Sequence, residues 1–278
     1  ENALIFGSGM AAISTTLLAF LHKGDHIILQ QTLYGGTYNF VVEEFDKFGI
    51  EYSFTDSLSI EDFEKKIQNT FASPINQTPV DFGIDIMIHS ATKYMGGHSD
   101  ILAGAIAGSN EHILKIWNVA KNLGGSLSDF TVWMLERSLK TMNLRVKKQS
   151  KNALKMAKYL AINPDVYHVY YPGLKGHPDY KLAKKQMKNF GGMLSFELKE
   201  GIDPMKFQNS LKLIKSSMSL AGVESTLLSP ALTSHALLGA EERANQGIKD
   251  GLIRFSVGIE NTKDLIADIE KAIKKAKK

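Results

Sequence analysis

The stretch His89-Ser90-Ala91-Thr92-Lys93-Tyr94-Met95-Gly96-Gly97-His98 comes straight after the apolar run 84–89, which has the length and composition of a buried strand. A lysine at a buried strand end is unusual, because desolvating an ammonium is costly. Burial also lowers its pKa, which frees the neutral amine to act as nucleophile or base. Ser90 and Thr92 put hydroxyls beside Lys93, and Gly96-Gly97 let the backbone approach a ligand closely. The plain alternative is a surface lysine in a strand-to-loop turn, and this stretch alone leaves both readings open.

Upstream, helices and strands alternate. Gly7-Ser8-Gly9-Met10 leads into an apolar helix over 11–21, a strand follows at 26–30, and Tyr34-Gly35-Gly36 reads as a turn. The spacing predicts a helix over 39–48 and a short strand over 51–55. Ser59 with Asp62 resembles a capping box opening a helix to Ile67. Downstream, strands are expected at 84–89 and 101–108, a helix at 110–123 and a long helix from 128 to 160. That helix carries the chain into strand 166–171, helix 180–188, strand 193–198, helix 204–214, strand 252–257 and a final helix over 262–275. The pattern predicts an α/β large domain over 1–142 and a smaller α+β domain over 143–278.

Three further features bear on function. Gly7-Ser8-Gly9-Met10 precedes a helix, whose free N–H groups and dipole favour phosphate. It lacks the third glycine of a dinucleotide fingerprint and the Gly-Lys-Ser/Thr of a P-loop, so a plain helix entry is the competing reading. Tyr34, in its glycine turn, either packs or stacks on a flat cofactor. Arg254 interrupts the apolar strand Leu252-Ile253-Arg254-Phe255, and a guanidinium there needs a carboxylate from the protein or from a substrate.

Composition narrows the classes. Hydrophobic residues make up 44% and charged residues 22%, as in ordinary globular proteins. No apolar run nears the roughly 18 residues of a membrane span. There is no cysteine, which excludes disulfides and thiolate chemistry and fits a reducing cytoplasm. The net charge of +4 owes much to lysines 271, 274, 275, 277 and 278, which read as a solvated helix end; no nucleic-acid or membrane partner is expected. The histidines show no metal spacing, and no catalytic metal is expected. No secretory signal is visible, and the absence of an initiator Met hints at a start further upstream.

Asp85-Ile86, then Ser90-Ala91-Thr92-Lys93-Tyr94-Met95, then Gly97-His98-Ser99 resembles the attachment signature of the Cys/Met-metabolism enzymes that use pyridoxal 5'-phosphate (PLP). The likeness continues through Phe71-Ala72-Ser73-Pro74, Gly124-Gly125-Ser126, the run 219–225 and the run 252–260. It implies the aspartate-aminotransferase-like fold type I. It implies a Schiff base on Lys93, which also shuttles protons; a phosphate held by Gly9 and Met10 N–H groups with Ser90 and Thr92; Tyr34 stacked on the ring or acting as acid–base; and Arg254, with Ser219 nearby, on the substrate carboxylate. It further implies an amino-acid substrate and a homotetramer built from dimers.

The sequence departs from that family in places. The family's N-terminal arm is missing. The helix ending at Ile67 runs through Gln68-Asn69-Thr70 directly into Phe71, where relatives insert a strand, a helix and another strand, a unit of about 30 residues or more. Gln68 stands where relatives carry the Asp that keeps the pyridine nitrogen protonated. Gly36 replaces the Cys usual in methionine γ-lyases, Met218 the Glu frequent in cystathionine enzymes, and Ala221 a Gly. The expectation is a cystathionine lyase or synthase type, with O-acetylhomoserine sulfhydrylase or methionine γ-lyase chemistry next. The readings from other classes are a non-catalytic relative and an aminotransferase.

Overall fold

The structure is a computed structural model, and it describes residues 1–30, 33–55, 66–68, 71–233 and 247–277. It divides into two compact units. One comprises Glu1–Thr70, Thr78–Thr92 and Ile101–Glu136; the other comprises Phe71–Gln77, Lys93–Asp100 and Arg137–Lys278.

The first unit opens with strand β1 (Asn2–Phe6), which the sequence reading does not anticipate. Its partner is β6 (Gly104–Gly108), pairing antiparallel with Asn2 opposite Gly108. A four-residue apolar run whose partner lies a hundred residues away carries little local signal. Helix α1 (Gly9–Phe20) is capped by Ser8, whose Oγ accepts from Ala11 N–H at 3.0 Å. Strand β2 (His26–Gln30) pairs in parallel with β3 (Glu51–Thr55), as expected of a β–α–β unit, through α2 (Gly35–Phe48). Helix α2 begins inside the expected glycine turn, with Tyr34 at the N-cap; N–H groups of a first turn need no helical partner, so glycine costs little there.

Residues 59–65 of the expected helix over 59–67, with its cap, lie outside the described residues. Its last residues are not helical: strand β4 (Lys66–Gln68) runs parallel to β5 (Ile86–Ser90), with Gln68 opposite Ile88. Pairing with a buried neighbour overrides the helical spacing there. The sheet order is β1-β6-β5-β4, and β2-β3 form a separate pair. Both sheets and helices α1, α2 and α4 (Asn110–Leu123) share one apolar core, which includes Phe6, Leu17, Phe45, Ile86 and Ile116. Helix α5 (Asp129–Ala161) follows.

The second unit holds a five-stranded sheet in the order β7-β8-β11-β10-β9: β7 (Val166–Tyr170), β8 (Met193–Leu198), β11 (Leu252–Ser256), β10 (Thr226–Leu228) and β9 (Lys215–Ser216). Three short helices precede and punctuate it: α3 (Ser73–Asn76), α6 (Tyr180–Gln186) and α7 (Pro204–Ser210). Helix α8 (Thr262–Ala276) closes the chain, with Asn261 as its cap. Ala153, Met156, Ala157 and Leu160 of α5 recur at helical spacing and pack with Phe196, Phe207, Phe255 and Ile269. Helix α7 stops at Ser210, short of the expected 214, because Asp268 of α8 accepts the N–H groups of Lys212, Leu213 and Ile214. Of the terminal lysines, Lys277 is not simply solvated: it pairs with Asp165 at 2.8 Å.

Candidate active site

In the first unit, the start of α1 meets the end of β5. A Cβ on Gly9 would stand 3.1 Å from Ser90 Cβ and 3.2 Å from its Oγ. The absence of a side chain at residue 9 thus leaves Ser90 and the first N–H groups of α1 close together. Ala11 and Ala12 already donate to Ser8, which leaves Gly9 and Met10 as the helix N–H groups without an intrahelical acceptor. Such a cradle suits a phosphate, since donors and helix dipole act together. Tyr34 is 62% exposed. A Cβ on Gly36 would stand 2.8 Å from its ring and 3.2 Å from Met10 Sδ, so the ring and the helix start flank the same glycine. Thr92 differs from its neighbours. Its hydroxyl donates to Ala103 O (3.2 Å) and accepts from Ala103 N–H (3.0 Å), so its one proton must turn away from Ala103 before it can serve a phosphate.

In the second unit, Lys93 opens the turn that follows Thr92. Burial, and then the charge of Arg254, lower its pKa. Such a shift favours the neutral, nucleophilic form of the amine. Arg254 is half-buried on β11, and its Nη2 donates to Met218 O at 2.7 Å. No carboxylate pairs with Arg254 in the described residues, so its charge is open to an anionic substrate group. Ser219 lies next to Met218; its carbonyl accepts from Thr226 Oγ1 at 3.0 Å and its N–H donates to Ser217 Oγ at 3.1 Å. The side chain of Met218 is 64% exposed.

Several supporting residues escape the sequence reading. Tyr94 is fully buried, its phenol pushed up to about 12 by burial, and its oxygen accepts from Gly192 N–H at 3.1 Å. Arg145, Gln149 and Asn152 of α5 are buried too. Their signal was a polar residue at each of three positions sharing a face with Met142, Val146, Ala153 and Met156.

Each unit taken by itself has chemistry that suits PLP: in the first, Gly9, Met10 and Ser90 form a cradle that suits a phosphate, and in the second, Lys93 is an amine of lowered basicity. The architecture is that of the fold type I PLP enzymes. A profile of the Cys/Met metabolism PLP-dependent enzymes matches residues 1–69 and 66–274. The chain is 38% identical to an L-methionine γ-lyase of Fusobacterium nucleatum, over 99% of this chain and 80% of that protein. It is equally 38% identical to a cystathionine β-lyase of Lactococcus lactis, over 97% and 81%. Among solved structures, cystathionine γ-lyase from Lactobacillus plantarum complexed with L-serine superposes with a TM-score of 0.93 at 34% identity, covering 99% of this chain and 82% of that one. This chain belongs to the Cys/Met metabolism PLP-dependent enzyme family.

Proposed function

We propose that the chain binds PLP at Lys93 and cleaves or forms the C–S bond of a sulfur amino acid, as a cystathionine β/γ-lyase or cystathionine γ-synthase does. The observation that carries this is the Lys93 amine, its basicity lowered by burial and by Arg254, one residue beyond Thr92 and three beyond Ser90. When bound, PLP supplies an electron sink for the substrate carbons. The N–H groups of Gly9 and Met10, with Ser90 and Thr92, hold its phosphate. Tyr34 covers the ring and offers a phenol for proton transfer. Arg254, with Ser219 beside it, takes the substrate carboxylate. Lys93 Nζ then carries protons between substrate carbons.

The exposed apolar side chain of Met218 supports a less polar distal group than cystathionine's ammonium, so O-acetylhomoserine sulfhydrylase or methionine γ-lyase chemistry is the neighbouring alternative. A non-catalytic relative is favoured by one observation. The family profile breaks at 66–69, where the chain carries Gln68, and a neutral amide does not hold a proton on a pyridine nitrogen as a carboxylate does.

We read 1–142 as the coenzyme-binding domain and 143–278 as the smaller C-terminal domain. A homotetramer of paired dimers is supported by exposed aromatics, among them Trp117, Phe130 and Trp133, the last two stacked at 5.9 Å. The cytoplasm is the compartment we assign; among the described residues no helix is long and apolar enough to cross a membrane.

The test is to add PLP, reduce with borohydride and map the modified peptide. Cystathionine, methionine, cysteine and O-acetylhomoserine are then supplied one at a time, and products are identified. Modification of Lys93 with release of ammonia and a keto acid, without an added keto-acid acceptor, is expected. A Lys93 that stays unmodified overturns the proposal; turnover that requires a keto acid points to an aminotransferase.

A further inference from the structure

Arg145, Gln149 and Asn152 stand four and three residues apart on α5, and each donates to the carbonyls of a different loop. Arg145 Nη1 reaches Tyr94 O at 2.9 Å and Nη2 reaches Met95 O at 3.2 Å. Gln149 Nε2 reaches Gly222 O at 2.7 Å and Ala221 O at 3.4 Å. Asn152 Nδ2 reaches Gly258 O at 3.0 Å and Glu260 O at 2.8 Å. The same loops are tied to one another through the backbone. Gly97 N–H donates to Lys93 O (2.6 Å), Val223 N–H to Gly97 O (2.9 Å) and Ile259 N–H to Val223 O (2.9 Å). An unbroken series of hydrogen bonds therefore runs from the lysine turn, across the Ser219 loop, to the end of the strand that carries Arg254. The helical rise of about 4.5–6 Å over three or four residues is close to the spacing of about 4.8 Å between hydrogen-bonded strands. One helix face can therefore cap three adjacent chain segments.

We propose that the row Arg145–Gln149–Asn152 is a positioning element that holds the Lys93 amine and the Arg254 guanidinium in fixed register. The inference rests on the function proposed above for those two groups. Both are cations when protonated, so they push apart unless their loops are clamped. Gln149 sits at the centre. It is fully buried, its Oε1 has no hydrogen-bond partner, and its amide nitrogen is what engages the neighbouring loop. The middle loop is held on its other flank as well, since Ala221 N–H donates to Ser256 Oγ (2.7 Å) and Met218 O accepts from Arg254. Ala221 itself is in the left-handed region at φ 65°, a conformation that needs such restraint. If the row relaxes, the Arg254 charge moves off and Lys93 regains basicity.

The experiment uses the full chain with Gln149→Met, which keeps volume and removes the donor. Two readouts need no coenzyme: amide hydrogen exchange at Gly97, Val223 and Ile259, and the pH midpoint of Lys93 by competitive acylation. Expected are at least tenfold faster exchange at all three amides, unchanged protection in β8 and β11, and a Lys93 midpoint moved up towards 10.5. Acceleration confined to Val223 with an unmoved Lys93 midpoint overturns the proposal. Should Gln149→Met not fold, Asn152→Ser is read the same way, with the largest acceleration at Ile259 and the same upward shift. Borohydride trapping on the unaltered chain is scored separately. Its failure removes the proposed function, while the exchange and titration results still decide whether the row positions Lys93.

Discussion

A Cβ on Gly97 would stand 1.8 Å from Nη1 of Arg145. The guanidinium approaches this glycine by Nη1, with Cζ at 2.5 Å and Nη2 at 3.1 Å from the same point, while it holds Tyr94 O and Met95 O, so the lysine turn and α5 are fitted without room for a methyl group. Gly97 also has φ +70°, where a side chain is strained in any case. Gly97→Ala must therefore displace Arg145 and leave buried carbonyls unpaired. The expected loss is about 3 kcal/mol or more of unfolding free energy, read from urea titration. A loss within about 0.5 kcal/mol would show that the guanidinium moves aside freely.

Lys93 carries a pH signature that needs no substrate. Its folded pKa is lowered, by burial first and Arg254 second, from an unfolded value of 10.5. Between the two values the unfolded chain binds the extra proton, so this residue's contribution to stability rises with pH in that window. Below the folded pKa, a charged Lys93 is a full penalty on the folded state. Lys93→Met should accordingly stabilise the coenzyme-free protein at pH 7, with the advantage shrinking as pH climbs towards 10.5. Melting temperatures of both proteins across that range provide the check. An advantage that stays constant with pH would mean that Lys93 is not desolvated.

Helices α1 and α4, and strands β2, β3 and β8, were legible because their signals are local: a glycine-rich entry before an apolar run, a helical spacing, a short run of strand length. Strands β1, β9 and β10 were not, because their pairing partners and not their own composition make them strands. The site divides in the same way. Lys93 and Arg254 stand out as charges in apolar text. Arg145, Gln149 and Asn152 do not, because a polar residue on a long mixed helix reads as its solvent face. Only the loops that cover α5 reveal that those residues are inside.

Asp268 shows how a helix end is set from outside. Its carboxylate accepts N–H groups from Lys212, Leu213 and Ile214 at 2.9 to 3.2 Å. Asp268→Ala strands three donors, and Ile214 is buried among the core residues. A loss of about 2–4 kcal/mol is expected in urea unfolding, with faster amide exchange at 212–214. Unchanged exchange there would show that water replaces the carboxylate.

Gly9→Ala tests the proposed phosphate cradle. The added Cβ would press on Ser90 at 3.1 Å and fill the space in front of the first N–H groups of α1. A shift of a few tenths of an ångström relieves the packing, so the fold should survive with a cost of about 1 kcal/mol. The phosphate end has no such latitude. Retention of PLP after gel filtration, measured by absorbance and by released coenzyme, should fall at least tenfold. Equal retention would place the phosphate elsewhere.

The longest-range prediction concerns the outer edges of β4 and β2. Among the described residues each is paired on one side only, β4 with β5 and β2 with β3. The alignment with the Fusobacterium nucleatum protein spans 317 positions against 278 residues here, so at least 39 of its positions face gaps in this chain. The family profile overlaps itself at 66–69, which puts its break at β4 itself. A segment of that size suffices for a strand–helix unit of about 30 residues or more. Open edges of parallel strands are uncommon because parallel sheets are normally buried and paired on both flanks. Grafting the corresponding Fusobacterium segment between Ile67 and Gln68 should supply a strand to both edges. Each hydrogen bond made adds a net of about 0.5–1.5 kcal/mol, so unfolding free energy should rise by several kcal/mol. The amides of Ile27, Leu29 and Ile67 should report the new pairing by slower hydrogen exchange. If those amides exchange at their former rates in a folded graft, the two sheets are independent and the break at 66–69 has not opened the sheet.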